Sequence, residues 1–224
     1  MSRRVLLVFA HPSHESLSGA ALEHALRGLE HGGHEVRVRD LYTENFSPRL
    51  TLEEKRGHLA APDTKPQLEK DFADLLWCDT IVLVHPTWWG GQSAILKGWL
   101  DRVWASGVAW HLPDGAANIR PSLTNVRRIM TVSTHGSPWR VNAVQGVPGR
   151  RIINRGMRAV CHPLCRTSWI ALYAVDRVSD SRRRRFLRRV ERRTSRLYRS
   201  TNAVAICAAT LALFSASARL AGML

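Results

Sequence analysis

Ile81-Val82-Leu83-Val84 is apolar at every position, where a half-buried strand would alternate. Such a run fits a strand covered on both faces, and strands of that kind belong to parallel sheets flanked by helices. The run ends at His85-Pro86. Pro86 and Gly90-Gly91 are expected to interrupt regular structure before a helical pattern restarts at Ser93 and continues through Ala94, Leu96, Lys97, Leu100 and Val103. Thr87-Trp88-Trp89-Gly90 then falls on a loop at the carboxyl end of a central strand, the end at which open α/β sheets bind ligands. Two adjacent tryptophans there suit a flat apolar ligand that excludes water. Packing onto the next helix is the competing use.

The remaining segments repeat the theme. Val5–Ala10 reads as a first strand, followed by a helix from about Gly19 to Glu30 that His31-Gly32-Gly33-His34 stops. Val36 and Val38 alternate with charge in a second strand, Glu35–Asp40. Leu41–Leu59 reads as irregular, Pro66–Leu76 as a helix and Thr80–Val84 as the third strand. The helix Ser93–Trp104 precedes a fourth strand at Val126–Ser133. A loop and helix over Val141–Arg158 lead to a fifth strand at Thr167–Tyr173. This β-α alternation predicts an α/β chain with a doubly wound sheet of five parallel strands and helices on both faces. The expected domain is residues 1–200, with 201–224 as an apolar C-terminal tail.

The net charge of +15 invites a nucleic-acid reading, but its distribution argues against one. Residues 182–224 hold eleven of the arginines and a single Glu. Within Arg182–Arg199, Phe186, Leu187, Val190, Leu197 and Tyr198 recur at helical spacing, which describes an amphipathic helix with an arginine-rich outer face. Ala203–Ala218 carries no charge but is shorter than the roughly 20 residues that span a bilayer. A loosely docked appendage is the expectation, with peripheral membrane contact as the alternative. Cys78, Cys161, Cys165 and Cys207 form no disulfide framework, and no metal site is expected around Cys161-His162. Without a signal peptide pattern, the expected location is cytoplasmic.

Two further loops share the ligand-binding edge. His11-Pro12-Ser13-His14-Glu15-Ser16-Leu17-Ser18 precedes a helix start, where backbone N–H groups, the Ser16 and Ser18 hydroxyls and the His11 ring suit a phosphate. Ordinary N-capping by either serine is the plainer use. Ser133-Thr134-His135-Gly136-Ser137 offers small residues with free backbone groups. Phosphate site, aromatics and backbone donors together suit a flat, phosphorylated, redox-active ring system. No GxGxxG follows the first strand, so a Rossmann dinucleotide site is not supported.

At these residues the chain resembles the flavodoxin-like NAD(P)H:quinone oxidoreductases. The resemblance rests on FAHP and SLSGA around the first loop, DLYTENFSP at 40–48, HPTWWG, SAILKGWLDRVW, GVAW and STHGS, and covers about Arg4–Arg199. It implies a flavodoxin-like fold and a flavoprotein using FAD, with FMN as the alternative, and NAD(P)H as electron donor. Hydride would pass through flavin N5 to a quinone-like acceptor by a ping-pong mechanism. It also implies that His11, Ser16, Leu17 and Ser18 hold the flavin phosphate and ribityl chain. Pro86, Thr87, Trp88, Trp89 and Gly90 would line the isoalloxazine, and Ser133, Thr134, His135 and Gly136 would bond its pyrimidine edge. Val108, Ala109 and Trp110 would form a substrate wall contributed across a homodimer interface. Relatives from eukaryotes place Tyr and His near the flavin where this chain has Asn142 and Pro148, while His135 replaces a glycine; His135 is the one candidate for a catalytic side chain. A different class of function, a flavoprotein accessory subunit regulating a membrane transport system, would use the basic helix and tail as its docking surface.

Overall fold

The computed structural model describes residues 2–59 and 65–197. The apolar tail, with its two alternatives, lies outside the described residues. Five parallel strands form the central sheet: β1 (Arg4–Phe9), β2 (Glu35–Asp40), β3 (Thr80–Trp88), β7 (Arg128–His135) and β8 (Arg166–Tyr173). Their order is β2-β1-β3-β7-β8, so the chain reverses its winding between β1 and β3. That reversal opens a crevice at the carboxyl edge of the sheet.

Alternation along β1 explains the two layers. Val5, Leu7 and Phe9 point to one face, where they meet Ala21, Leu22, Ala25 and Leu29 of helix α1 (Leu17–His31). Phe186 and Val190 of α7 (Asp180–Ser195) complete that layer. Leu6 and Val8 point to the other face, toward Phe72 and Leu75 of α3 (Glu69–Trp77) and Leu96 and Trp99 of α4 (Ala94–Val103). The expected amphipathic helix is therefore α7: its apolar stripe packs beside α1 and its arginines other than Arg183 are exposed. Ser93 and Trp104, expected as helical ends, are the caps of α4.

Three segments differ from the sequence expectation. The stretch Leu41–Leu59 contains a short helix, α2 (Leu52–Arg56), begun by a capping box in which Thr51 and Glu54 satisfy each other's backbone N–H. Glu54 is buried in an ion pair with Arg102, 2.6 Å at its closest, which fastens α2 to α4. The segment expected as one helix through Arg158 is broken into α5 (Trp139–Val144), α6 (Pro148–Arg151), a π turn and a 3-10 turn. Left-handed Gly146 and Val147, followed by Pro148, account for the break.

The third difference bears on function. β3 does not stop at Val84 but runs through Pro86 to Trp88, then reverses into β4 (Gly91–Gln92). Pairing with β1 ends at Phe9 and Val84, so Pro86 lies where one flank of the strand is free and a missing N–H is tolerated. Trp89 and Gly90 form the two-residue turn, both with positive φ, at 50° and 73°. That pair is the signature of a type I′ hairpin. The short β5 (Trp110–His111) and β6 (Arg120–Pro121) pair apart from the main sheet. No helix among the described residues is long and apolar enough to cross a membrane.

Candidate active site at the carboxyl edge of the sheet

The crevice is a cleft of about 680 Å³. The β1–α1 loop contributes His11, Ser16, Leu17 and Ser18; β3 contributes Pro86, Thr87 and Trp88; the end of β7 contributes Thr134 and Gly136. Side-chain hydrogen bonds lock these three segments together. Ser18 Oγ lies 3.0 Å from Thr134 Oγ1, and Thr87 Oγ1 donates to the Thr134 carbonyl at 3.1 Å.

At one end of the cleft stands the N-terminus of α1. Ser16 is its N-cap: the Ser16 hydroxyl accepts from Gly19 N–H at 3.1 Å and donates to Ser13 O at 2.8 Å. Ordinary N-capping is therefore the use its hydroxyl fulfils. A helix start leaves other first-turn N–H groups without internal acceptors, and these face an anion favourably. The His11 ring engages Ser13 N–H through Nδ1 at 3.0 Å, which leaves Nε2 as the nitrogen available to a ligand. At the other end Trp88 is 65% exposed along the cleft.

Some expected residues stand elsewhere. Trp89 is 94% exposed at the hairpin tip and Gly90 bonds through its carbonyl to Gly149 N–H at 3.1 Å; neither lines the cleft. Val108 and Ala109 are buried in the core, and Trp110 is half-buried with its indole N–H on the Trp104 carbonyl. In this chain the three do not meet the cleft.

Ser133 and His135 are buried beneath Thr134 and Gly136. Asn142 donates to the Pro138 carbonyl at 3.0 Å, so its Oδ1 is the atom that accepts from His135 Nδ1–H at 2.9 Å. His135 Nε2 then accepts from the Ser133 hydroxyl at 2.9 Å. The chain Ser133–His135–Asn142 fixes one neutral tautomer, and burial lowers the His135 pKa, opposed by the Asn142 bond. A second buried histidine, His85, donates through Nδ1 to the Pro86 carbonyl at 2.9 Å and leaves Nε2 without a partner. Burial pulls its pKa down to about 4.

A family model described as the flavodoxin-like fold matches residues 3–194. The chain belongs to this flavodoxin-like family. It is 36% identical over 116 residues to the uncharacterized NAD(P)H oxidoreductase YcaK of Escherichia coli, covering 49% of this chain and 56% of that protein. It spans little more than half the length of the curated relatives it matches first. Among solved structures, the NAD(P)H:quinone oxidoreductase from Methanothermobacter marburgensis superposes with a TM-score of 0.74 at 26% identity, covering 88% of this chain and all of that one. An FMN-dependent NADH-azoreductase from Bacillus anthracis, solved in complex with FMN, shares the fold at a TM-score of 0.69 and 14% identity, over 89% of this chain and all of that one.

Within the flavodoxin-like frame two features stand out. The cleft has a fourth wall that the sequence reading missed: Val175, Asp176 and Arg183, from the loop after β8 and the start of α7. Arg183 is held at this rim by its bonds to the Val175 carbonyl at 3.0 Å and to Asp180 at 3.3 Å. The signal was available, because a fifth parallel strand puts its following loop on the same edge. The second feature is that two departures from the quinone-reductase pattern, His135 and Asn142, are partners of each other.

Proposed function

We propose that the chain is a flavin-dependent NAD(P)H oxidoreductase that passes two electrons, as hydride, to a quinone-like acceptor. The observation that carries this reading is the cleft itself, with a helix N-terminus at one end and Trp88 at the other, bridged by the Ser18–Thr134–Thr87 bonds. Those donors match a phosphate and an extended flat ring. Gly136, where an added Cβ would meet only the Asp176 carboxylate, at 3.8 Å, leaves room for the ring edge. Supporting names come from relatives: an NAD(P)H oxidoreductase, an NAD(P)H:quinone oxidoreductase and an azoreductase carrying FMN.

When bound, the flavin supplies the hydride chemistry. The protein's part is positioning and charge. The α1 N-terminus, His11 Nε2 and Arg183 would hold the phosphate. Trp88 would cover one side of the ring and exclude water from it. Backbone groups of Thr134 and Gly136 would meet the pyrimidine edge, and Ser133, His135 and Asn142 hold that loop from below. His135 acts here as a positioning residue, since its two ring nitrogens are occupied. NAD(P)H and acceptor would use the same open side in turn, the ping-pong order. FAD and FMN share the phosphate and ring that this cleft addresses. A homodimer would cover Trp89 and Val144, which are 94% and 90% exposed in one chain, and would bring its Trp110 segment to the partner's cleft.

The test is the visible spectrum of the purified protein, with the released cofactor identified chromatographically, before and after anaerobic NADH or NADPH. Bound flavin that bleaches on addition is the expected result. Folded protein that cannot take up FAD or FMN would overturn the reading.

A further inference from the structure

At the opposite end of the sheet lies a second cavity, of about 730 Å³, between α7 and the first residues of β7 and β8. Four of its wall residues are arginines of α7 and its C-cap: Arg189, Arg192, Arg193 and Arg196. A basic helix face alone is ordinarily solvated. Here, however, two arginines from different strands, Arg128 and Arg166, converge on the same space. No carboxylate lines it, and Arg128, Arg189, Arg192, Arg193 and Arg196 have no ion pair among the described residues. Its floor is Met130 and Ile170, both buried. Ser168 shares the strand face of Ile170, and its hydroxyl oxygen is buried without a hydrogen-bond partner.

Like charges gathered over an apolar floor repel one another, and a bound anion relieves that repulsion at half-buried Arg128. Burial and the neighbouring Arg166, Arg3 and Arg193 all weaken the hold of Arg128 on its proton. The recess is lined on its strand side by half-buried Arg128 and exposed Arg166. Its size is that of a small-molecule site. Guanidinium groups pair with phosphate oxygens through geometrically matched hydrogen bonds.

We infer that this cavity is a binding site for a small phosphorylated anion carrying at least two phosphate groups, distinct from the cleft at the carboxyl edge. The floor of Met130 and Ile170 leaves room for an organic moiety beside the phosphates. The proposal does not depend on the oxidoreductase reading, because its site shares no residue with the cleft.

Calorimetric titration of the full chain with inorganic tripolyphosphate, in about 150 mM salt where diffuse surface attraction is screened, tests it. The expected result is saturable one-to-one binding. Arg193→Gln and Arg128→Gln should each weaken it about tenfold or more. Arg184→Gln, an exposed arginine of the same helix outside the cavity, should leave it within about twofold. Arg193 is itself exposed, so its variant stays folded even where Arg128→Gln does not; thermal unfolding checks both. Absence of saturable binding, or equal weakening by Arg184→Gln, would overturn the site. So would binding of duplex DNA or phosphatidylglycerol vesicles that tripolyphosphate fails to displace, which would make this face a macromolecular surface instead.

Discussion

The two ends of one parallel sheet have been put to different uses. At the carboxyl edge the cleft is made of helix-start amides, short hydroxyls, backbone carbonyls and Trp88, and its charged groups are Arg183 and the carboxylates of Glu15 and Asp176. At the amino end of β7 and β8, roughly 20 Å away at about 3.3 Å per strand residue, the cavity is made of six guanidinium groups. The first follows from topology: any sheet wound in this order opens a crevice there. The second follows from side-chain charge alone, and nothing in the winding requires it. Ligands that need shape and orientation belong at the first end; ligands that need countercharge belong at the second.

Acid should separate the ends most sharply. His85 and His135 are held neutral beneath the carboxyl edge, with folded pKa values below the ordinary 6.5, about 4 for His85. The unfolded chain binds those protons first, so stability falls as pH drops below about 6.5, and His85 has lost its full contribution by about pH 4. For a shift of that size, His85 contributes about 3 kcal/mol. Denaturant unfolding across this window should show a steep slope that His85→Gln flattens and Arg193→Gln leaves alone. Equal slopes in the wild-type protein and His85→Gln would show that this imidazole is not held neutral.

A steric probe should act at one end only. A Cβ at Gly19 would lie 1.9 Å from the His14 carbonyl oxygen, so Gly19→Ala must push the β1–α1 loop off the helix start. Overpacking of this kind costs about 2 kcal/mol, and here it also moves the first-turn amides of α1 at the cleft. Flavin retention should fall at least tenfold while tripolyphosphate affinity at the far cavity stays unchanged, both read by titration. Loss of both together would mean the ends are coupled through the sheet. Trp88→Ala is milder: removing one ring face should weaken flavin binding about three- to tenfold without a change in melting temperature, since that side chain is mostly exposed.

These differences also mark what could be read beforehand. The five strands were legible because Val5–Ala10, Thr80–Val84 and their companions carry continuous or alternating apolar runs. The three loops that line the cleft followed from the parallel direction of their strands. Thr51 and Glu54 displayed the spacing of a capping box, yet α2 holds only five residues and takes its stability from the Glu54–Arg102 pair, which no local pattern reveals. His135 looked like a loop residue facing a ligand because Ser, Thr and Gly surround it. Only the distant Asn142 decides that its ring turns inward. The arginine cavity was visible as a charge run, but its strand arginines, 128 and 166, are far from α7 in sequence.

Trp89 is where local preference and structure conflict, and the smallest effect should come from there. A type I′ turn asks for positive φ at both central residues, for which Asn-Gly is the favoured pair; this hairpin spends the position on a tryptophan at φ 50°. A bulky left-handed residue costs on the order of 1 kcal/mol, and at 94% exposure Trp89 recovers almost none of it through packing within the chain. Trp89→Asn should therefore raise the melting temperature slightly, by about 1 kcal/mol in stability or less. Strain kept at an exposed tip points to a contact made with something outside the chain. If that contact is a second copy whose cleft the tip completes, Trp89→Asn should shift sedimentation toward monomer and weaken flavin retention together. A variant that is more stable, equally dimeric and equally flavin-loaded would remove Trp89 from the site and leave Trp88 as the aromatic that faces the ring.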